Sequence, residues 1–247
     1  MINPMDLSGK HIVITGGSSG IGRQCAIQAS RLGAKVSLIA RREDQLQETI
    51  RLMERPDDHQ YYILDLCETE KIEELIKTIV AERGAVDGLC HAAGTAPMRM
   101  IRQTKPAFLE SVLKLHALSF VELVRCLTLK KNLNDGASLV GISSSAVESG
   151  GISLAAYATA KASMNGFLHP AALELAPRKI RINTVAYSFV DTQMTQKATE
   201  EGLNPELIQS QKLGIIDVES ASNAVMFLLS DACTYITGTV LRVYGGL

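Results

Sequence analysis

Short runs of apolar residues recur along the chain and alternate with longer stretches whose apolar positions are spaced at helical intervals. Runs of Val, Ile and Leu bounded by Gly, Asp or Ser are typical of buried strands, and strands that alternate with helices are typical of a parallel sheet. The pattern therefore predicts an α/β fold, a doubly wound parallel sheet with helices on both faces. The predicted strands are HIVIT, KVSLIA, YYILDL, VDGLCHAAG, SLVGIS, RINTVAY and TVLRVYG.

No repeat, low-complexity segment or linker interrupts this alternation, so we expect residues 1–247 to form one domain. The stretch expected to be most irregular is 191–214, DTQMTQKATEEGLNPELIQSQKLG, before the helix around ESASNAVMFLLS. An insertion there lies over the carboxyl ends of the strands, where ligands bind in such folds. A substrate lid and an ordinary surface excursion are equally open interpretations.

Composition narrows the function. The chain is 46% hydrophobic with a formal net charge of -1, which gives no field to attract nucleic acid or anionic lipid. The N-terminus lacks a signal-peptide pattern, and no apolar run approaches the ~20 residues that span a bilayer, so a cytoplasmic location is expected. No metal site is expected either, because the cysteines lack ligand spacing and are interpreted as reduced core thiols. They are Cys25, Cys67, Cys90, Cys126 and Cys233.

Tyr157 and Lys161 lie four positions apart in AYATAK, residues 156–161, among small side chains. Residues i and i+4 share one face of a helix, so the phenol and the ammonium group can point into the same space. The small neighbours leave room for another molecule. The pair therefore predicts a site.

A glycine-rich turn, TGGSSGIG, follows the first predicted strand. Such a turn lets the backbone approach a pyrophosphate, and the amides that begin the next helix attract its charge. A tight turn that needs glycine without any ligand is the alternative. The candidate cofactor-binding residues are Gly16, Ser18, Ser19, Gly20, Ile21 and Gly22, with the three glycines as the main candidates.

The second predicted strand ends in IARRED, where Arg41 and Arg42 follow Ala40. An NAD site usually has an acidic residue here, whereas two guanidinium groups would form charge-assisted hydrogen bonds to a ribose phosphate. NADP(H) is therefore favoured over NAD(H), with a solvated basic helix start as the alternative. At the end of the third strand, Asp65 could bind an adenine amino group beside the Leu66 amide, or cap the helix in ETEKIEELIKTIV.

Over essentially its whole length the chain resembles the short-chain dehydrogenase/reductase family. The resemblance depends on TGGSSGIG, on GISSS followed by YATAK, on RINTVAYSFVDTQM and on YITGTVLRVYGG. It implies a Rossmann-type fold, an NAD(H) or NADP(H) cofactor and an Asn-Ser-Tyr-Lys tetrad, whose serine position selects Ser144. It also implies that Val190 and Thr192 bind the nicotinamide carboxamide, although Thr192 could instead be a helix N-cap.

The tetrad suits hydride chemistry. Hydride transfer to a carbonyl leaves an alkoxide that needs a proton, and free tyrosine, with a pKa of about 10, is a poor acid-base group near neutrality. We expect Lys161 and the positive ring of the oxidised cofactor to lower the pKa of Tyr157, and Ser144 to donate to the substrate oxygen. A half-buried tyrosine, a snorkelling lysine and a turn serine are the alternative.

Two loops depart from the family pattern. The Asn-Ala-Gly after the fourth strand reads Ala92, Ala93 and Gly94, so the usual asparagine amide is missing at Ala92 and adenosine-side anchoring is expected to be weaker. The usual Pro-Gly after NTVA reads Tyr187-Ser188. This pair is expected to add bulk at the nicotinamide end.

His116 stands at the position of the tetrad asparagine. It lies roughly opposite the polar stripe of its helix, so it is expected to face inward, either as a core histidine or beside a proton path to Lys161. An imidazole that charges near neutrality would make His116→Asn change the pH profile below about pH 7. Metal binding with His91 lacks further ligands and is not expected. The stripe is Ser111, Lys114, Glu122 and Arg125.

Two functions follow. The first is an NADP(H)-dependent carbonyl reductase or alcohol dehydrogenase, most similar within the family to the 3-oxoacyl-carrier-protein reductases, with a sugar, sterol or small ketone still open as substrate. For an acidic carrier, Lys130 and Lys131 are the candidate docking residues. The second is an NADP(H)-binding sensor or scaffold without turnover.

A homodimer or homotetramer is also expected. The helix around 107–131 carries apolar residues around more of its circumference than one sheet face can cover, and NGFLHPAALELA is similarly apolar. Family members commonly pair these two helices. Pro170 is expected to kink the second helix or to begin a new segment.

Overall fold

In the computed structural model, which describes residues 3–129, 131–200 and 205–247, one parallel sheet has the strand order β3-β2-β1-β4-β5-β6-β7. The order runs in opposite directions from β1, so a crevice opens at the carboxyl ends of β1 and β4. The strands are β1 His11–Thr15, β2 Lys35–Ala40, β3 Gln60–Ile63, β4 Val86–His91, β5 Leu133–Ser144, β6 Arg181–Tyr187 and β7 Val240–Val243.

Helices cover both faces of the sheet, and loops connect them to the strands. The α-helices are α1 Gly20–Arg31, α2 Glu43–Arg51, α3 Ile72–Arg83, α4 Pro106–Leu113, α5 Ser119–Thr128, α6 Ala146–Ser149, α7 Ala155–Leu175, α8 Gln193–Glu200, α9 Pro205–Gln209 and α10 Val218–Leu229. A π-helical turn, Lys114–Leu118, joins α4 to α5. Single turns of 3₁₀ helix occupy Pro56–Asp58, Thr69–Lys71, Ile101–Gln103, Ala176–Arg178 and Asp231–Cys233.

Two apolar layers hold the helices to the sheet. On one face α1 and α10 pack together over Ile12, Ile14 and Val140. On the other face α3, α5 and α7 pack over Val13 and Leu139. The predicted doubly wound sheet is confirmed. Among the described residues, no helix is both long enough and apolar enough to cross a membrane.

The fifth strand begins five residues earlier than expected. SLVGIS predicted a start at Ser138, because the preceding Asn-Asp-Gly is typical of a turn. In the structure β5 already pairs at Leu133 with Val86, and the register shifts before Gly88 pairs with Ser138. A local irregularity in the ladder therefore accommodates residues that sequence alone assigns to a turn.

Two expectations about helices change. α7 runs without a break from Ala155 to Leu175, so Pro170 begins no new segment, and the alternative of a kink at Pro170 stays a prediction. Part of the stretch expected to be irregular is helical, as α8 and α9, while residues 201–204 of the predicted lid lie outside the described residues. The cysteines are free thiols as expected, but Cys67 is only partly buried.

Candidate active site

The glycine turn connects β1 to α1. Gly16 has φ of +69°, and a Cβ there would lie 2.7 Å from the backbone nitrogen of Ala93. A Cβ on Gly22 would strike the carbonyl oxygen of Gly16. These two glycines are therefore required by contacts within the chain. Gly20, with φ of +53°, differs, because among the described residues a Cβ there would have only the side chain of Thr192 nearby, at 3.5 Å.

Two side chains that the sequence did not suggest brace this turn. The Arg23 guanidinium donates to the carbonyl oxygen of Ser18 at 2.7 Å and to the Thr49 hydroxyl at 3.1 Å. That hydroxyl donates in turn to the carbonyl oxygen of Gly17 at 2.9 Å. Thr49 lies inside α2, and no local sequence signal marks it. These contacts fix the turn. They do not involve the backbone amides at the start of α1, which have no hydrogen-bond partner within the helix itself.

Arg41 and Arg42 have different partners. The Arg42 guanidinium donates to the hydroxyls of Ser18 and Ser19 at 3.1 and 3.0 Å. Arg41 pairs with the Asp65 carboxylate at 3.3 Å. A guanidinium beside two hydroxyls, with no carboxylate bonded to it, is a donor set that suits a phosphate oxyanion. The residues present therefore fit a phosphorylated ribose, and Arg42 matches it better than Arg41.

Asp65 caps a turn of its own and not the following helix. Its carboxylate accepts the Cys67 amide at 3.0 Å, and this bond, with the charge of Arg41, holds the pKa of Asp65 below its usual value. α3 begins only at Ile72, so the N-cap alternative for Asp65 is wrong. Leu66 is buried beside it. The predicted adenine contact stays a prediction.

The loop after β4 is anchored without an asparagine at Ala92. Thr15 accepts the amides of Ala92 and Ala93 through its carbonyl and hydroxyl oxygens, at 3.2 and 3.3 Å. The same hydroxyl lies 2.9 Å from Nδ1 of His91. Thr15 and His91 thus supply contacts that hold this loop at the carboxyl end of β1.

His116 faces inward, as predicted, from the π-helical turn, with 1% of its surface exposed. Its Nε2 lies 2.9 Å from the carbonyl oxygen and 3.3 Å from the amide nitrogen of Thr95, and its Nδ1 has no hydrogen-bond partner within the described residues. A Cβ on Gly94 would strike this ring. The imidazole therefore holds the loop after β4 against the helix.

The expectation that His116 charges near neutrality is wrong. Burial, followed by the nearby charge of Lys161, holds the pKa of His116 well below its ordinary value. Its imidazole stays neutral at physiological pH. Helical periodicity predicted that the His116 side chain faces inward, but it carries no information on how strongly burial shifts the pKa.

Lys161 is 4% exposed, and its ammonium group donates to the carbonyl oxygen of Ile142 at 2.6 Å. Burial lowers the pKa of Lys161 to about 7. Nζ lies 5.7 Å from the ring centroid of Tyr157, which meets the His116 ring edge-on with centroids 5.5 Å apart. A group with a pKa near neutrality can hold or release a proton at working pH.

The expected lowering of the Tyr157 pKa by Lys161 is not found in the chain alone. Burial raises the pKa of Tyr157, and a hydrogen bond with Ser144 opposes this shift. The ammonium group is engaged by Ile142 and not by the phenol. Ser144, whose hydroxyl accepts the Ala146 amide at 3.2 Å, is the predicted residue that acts on Tyr157 directly.

A continuous set of contacts joins the glycine turn to Tyr157. Gly16 packs on the backbone at Ala93, Gly94 packs on His116, and His116 packs on Tyr157. Two regions that the sequence analysis identified separately therefore form one crevice at the carboxyl end of the sheet. This is where doubly wound folds bind ligands.

Tyr187 does not add bulk to this crevice, contrary to expectation. Its side chain is 3% exposed and lies in the core beneath α10, where its hydroxyl donates to the carbonyl oxygen of Ala221. The alternation of side chains along a strand directs it away from the site. Ser188 points the other way, and its hydroxyl oxygen lies 2.9 Å from the carbonyl oxygen of Tyr244.

Thr192 immediately precedes α8 and lies across from Gly20. Its hydroxyl accepts weakly from the Thr195 amide, at 3.4 Å, while the Thr195 hydroxyl donates to the carbonyl oxygen of Val190 at 2.6 Å. The N-cap alternative thus has a structural counterpart. The Thr192 side chain also faces Gly20, and its contact with a cofactor stays a prediction.

Known proteins similar to this chain over nearly its whole length identify its family. A family model described as enoyl-(acyl carrier protein) reductase matches residues 16–247. The 3-oxoacyl-[acyl-carrier-protein] reductase of Vibrio cholerae is 30% identical and covers 98% of this chain and 99% of its own. Carbonyl reductase family member 4 of Danio rerio is 30% identical, covering 95% and 96%.

Solved structures show the same fold. A short-chain dehydrogenase/reductase from Serratia marcescens has a TM-score of 0.88 at 24% identity, covering 99% of both chains. A dehydrogenase/reductase from Sinorhizobium meliloti has a TM-score of 0.87 at 24% identity, covering 98% of this chain and 96% of its own. With the family model matching nearly the whole sequence, the chain is an oxidoreductase that belongs to the short-chain dehydrogenase/reductase family.

Proposed function

We propose that this protein is an NADP(H)-dependent oxidoreductase that reduces a carbonyl group to a secondary alcohol, or catalyses the reverse reaction, on a 3-oxoacyl thioester. The observation that carries the proposal is the buried Lys161 close to Tyr157 and Ser144, at the end of the contacts that lead from the glycine turn. Burial of a lysine is unfavourable without compensation, and acid-base chemistry is a common reason for it.

The chain's own residues would divide the work. Bound NADPH would supply the hydride, held by the glycine turn, Arg42 and Thr192. Tyr157 would protonate the alkoxide, and Ser144 would donate a hydrogen bond to the same oxygen. Lys161, with its pKa near 7, would return a proton to Tyr157. His116 would keep the loop at Gly94 and Thr95 in place as a neutral side chain.

The preference for NADP(H) is supported by Arg42. Its bonds to two serine hydroxyls bring three donor groups together, one guanidinium and two hydroxyls, and within the described residues no carboxylate is hydrogen-bonded to it. A charge-assisted hydrogen bond contributes about 1.5–3 kcal/mol. NADPH should accordingly bind more tightly than NADH by about tenfold or more.

The thioester substrate is supported by the loops at the mouth of the crevice. Met100, Ile101 and Ile152 are exposed there, and the Arg99 amide joins the two loops by donating to the carbonyl oxygen of Ser153 at 2.8 Å. An apolar rim suits an acyl chain. The region is also basic, because no Asp or Glu occurs between Gly88 and Leu109 while three cations do. These are Arg99, Arg102 and Lys105.

This basic rim supports an acidic carrier as the source of the thioester. The sequence analysis missed it and named Lys130 and Lys131 instead. Lys130 lies outside the described residues, and Lys131 lies near β5 at the opposite end from Ser144. The signal was present as a stretch of the sequence free of acidic residues.

NADPH oxidation against a panel of ketones, 3-oxoacyl thioesters of a small thiol and the same acyl groups on an acidic carrier protein tests this function. We expect oxidation with the thioesters, and a lower KM for the carrier-bound form. Arg102→Glu should raise that KM without changing the KM for the small thioester. Tight NADPH binding with no oxidation by any member of the panel would favour the sensor or scaffold.

The remaining expectations from the sequence are part of this proposal. We propose one cofactor-binding domain over residues 1–247, a substrate lid at 191–214, a cytoplasmic location and a homodimer or homotetramer. Exposed Leu118 and Leu173, on the two helix regions predicted to pair, support the assembly. Light scattering at micromolar concentration should give a mass at least twice that of the 26.7 kDa chain.

A further inference from the structure

Gln211 is a buried polar side chain in the segment that follows α9. Its side chain is 2% exposed, although the neighbouring residues 212–215 are exposed. A buried carboxamide that lost its partners would be strongly unfavourable, so its hydrogen bonds define what it does.

The carboxamide pairs with both polar groups of the Phe189 backbone. Its oxygen accepts the Phe189 amide at 3.0 Å, and its nitrogen donates to the Phe189 carbonyl oxygen at 3.3 Å. The same oxygen accepts from the Ser188 hydroxyl, and the same nitrogen donates to the carbonyl oxygen of Gly214 at 2.5 Å. All four hydrogen-bonding positions of the carboxamide are thus used.

The C-terminal segment completes this arrangement. Gly245 has φ of +59°, and a Cβ there would lie 2.8 Å from Cγ of Gln211, so this glycine makes the space for the side chain. The Leu213 amide donates to the carbonyl oxygen of Gly245 at 2.8 Å. The Ser188 hydroxyl, which donates to Gln211, also lies 2.9 Å from the carbonyl oxygen of Tyr244. Three distant parts of the chain therefore meet at one carboxamide.

The segment that Gln211 holds leads directly to the site. Val190 follows Phe189, and its carbonyl oxygen accepts from the Thr195 hydroxyl. Thr192 then faces Gly20 across the crevice. Ile216 donates to the Phe189 carbonyl oxygen, and its own carbonyl accepts from Asp191, which adds a bridge from the same side. Gln211 and Ile216 fix one side of the backbone that positions Val190 and Thr192.

We propose that Gln211 is a positioning residue for the nicotinamide half of the site, acting through the backbone of Phe189 and Val190. The inference rests on the proposed function, since it concerns the residues expected to receive the nicotinamide carboxamide. Gln211 touches Phe189 and not the crevice residues themselves. It therefore sets where Val190 and Thr192 stand and takes no part in the chemistry.

The test separates the two halves of the cofactor. Calorimetric titration compares NADP⁺ with adenosine 2′,5′-bisphosphate, which lacks the nicotinamide. We expect Gln211→Ala to weaken NADP⁺ binding about tenfold, because several buried hydrogen bonds are lost. Binding of the fragment should change by less than about twofold, because distant sites act independently. Gln209→Ala, an exposed glutamine on α9, is the matched control and should change neither.

Two further readouts keep the proposal testable if Gln211→Ala folds poorly. Gln211→Glu loses both donations and places an acceptor against two carbonyl oxygens, so it should reproduce the selective loss in full. Ser188→Ala removes one donor to the carboxamide and should reproduce the loss in smaller measure. Hydrogen exchange of residues 188–191 should become faster in all three variants. Equal losses for both ligands, or unchanged exchange with unchanged NADP⁺ binding, would overturn the proposal. If the parent protein bound NADP⁺ no more tightly than the fragment, the nicotinamide site itself would be contradicted.

Discussion

The glycine turn and the packing of Gly94 against the ring of His116, here called the His116 pocket, both depend on a glycine in close contact with a neighbour. Only the turn can be recognised from the sequence. In the turn, a Cβ on Gly22 would strike the Gly16 carbonyl, a neighbour in the chain. In the pocket, a Cβ on Gly94 would strike the ring of His116, 22 residues further on. Local contacts leave a motif in the sequence, whereas contacts between distant segments leave single residues without a pattern.

The same contrast separates Arg42, which is expected to bind the cofactor, from Lys161, which is expected to take part in proton transfer. Arg42 reaches serines of a loop that the motif already identifies, and its role follows from charge. The role of Lys161, a residue of α7, depends on its burial, because burial lowers its pKa to about 7. The cofactor half of the site is thus defined by charge and local backbone, and the catalytic half by desolvation.

The largest effect is expected at Tyr157. Tyr157→Phe removes the proton donor and should lower the rate of reduction by at least about 100-fold, the usual contribution of a general acid. NADPH binding should be kept, because the glycine turn and Arg42 are untouched. Tyr235→Phe, at a fully exposed tyrosine, is the control and should be fully active. Turnover of Tyr157→Phe within tenfold of the parent would contradict the assignment.

The His116 pocket can be tested through its glycine. Gly94→Ala places a methyl group against the imidazole and should lower the free energy of unfolding by about 1–3 kcal/mol, the usual cost of overpacking. Gly166→Ala, in α7 with open space around it, should be neutral or slightly stabilising. Urea denaturation measures both. If the two variants had the same stability, the close packing of Gly94 on His116 would not exist.

Cofactor preference tests the charge argument. Arg42→Ala should reduce the preference for NADPH over NADH by about tenfold, the value of one charge-assisted hydrogen bond. Arg41→Ala should reduce it less, because Arg41 pairs with Asp65. Arg41→Asp, which adds repulsion, is still expected to reverse the preference. Equal affinities of the parent for the two cofactors would remove the basis for all three expectations.

The smallest effect is a loss of stability in acid. Burial lowers the pKa of His91 to about 3, so below the unfolded pKa of about 6.5 the unfolded chain binds the extra proton and the folded chain does not. His91 alone should therefore lower the free energy of unfolding by about 1 kcal/mol one unit below that pKa, and the buried His116 adds to the same trend. His91→Gln should have a flatter dependence of its urea midpoint on pH. His169→Gln, at an exposed histidine, should leave the slope of the parent unchanged.

Sequence patterns predicted the order of helices and strands, the turn and the inward direction of His116, because each depends on local periodicity or motif. They failed where a side chain's surroundings come from elsewhere. Tyr187 turned into the core under α10, and the imidazole of His116 was neutralised by burial and by Lys161. Gln211 had no signal at all, since its hydrogen-bond partners are the backbone of Phe189 and Gly214 and the Ser188 hydroxyl, and Gly245 packs against it.

Transfer of a labelled hydride tests the central claim most directly. NADPH that carries deuterium at the transferred position of its nicotinamide would be incubated with the protein and a 3-oxoacyl thioester, and the product analysed by mass spectrometry. The account predicts one deuterium on the new carbinol carbon with the parent and a rate at least about 100-fold lower with Tyr157→Phe. Bound NADPH with no deuterium in any product, across the thioester and ketone panel, would contradict it.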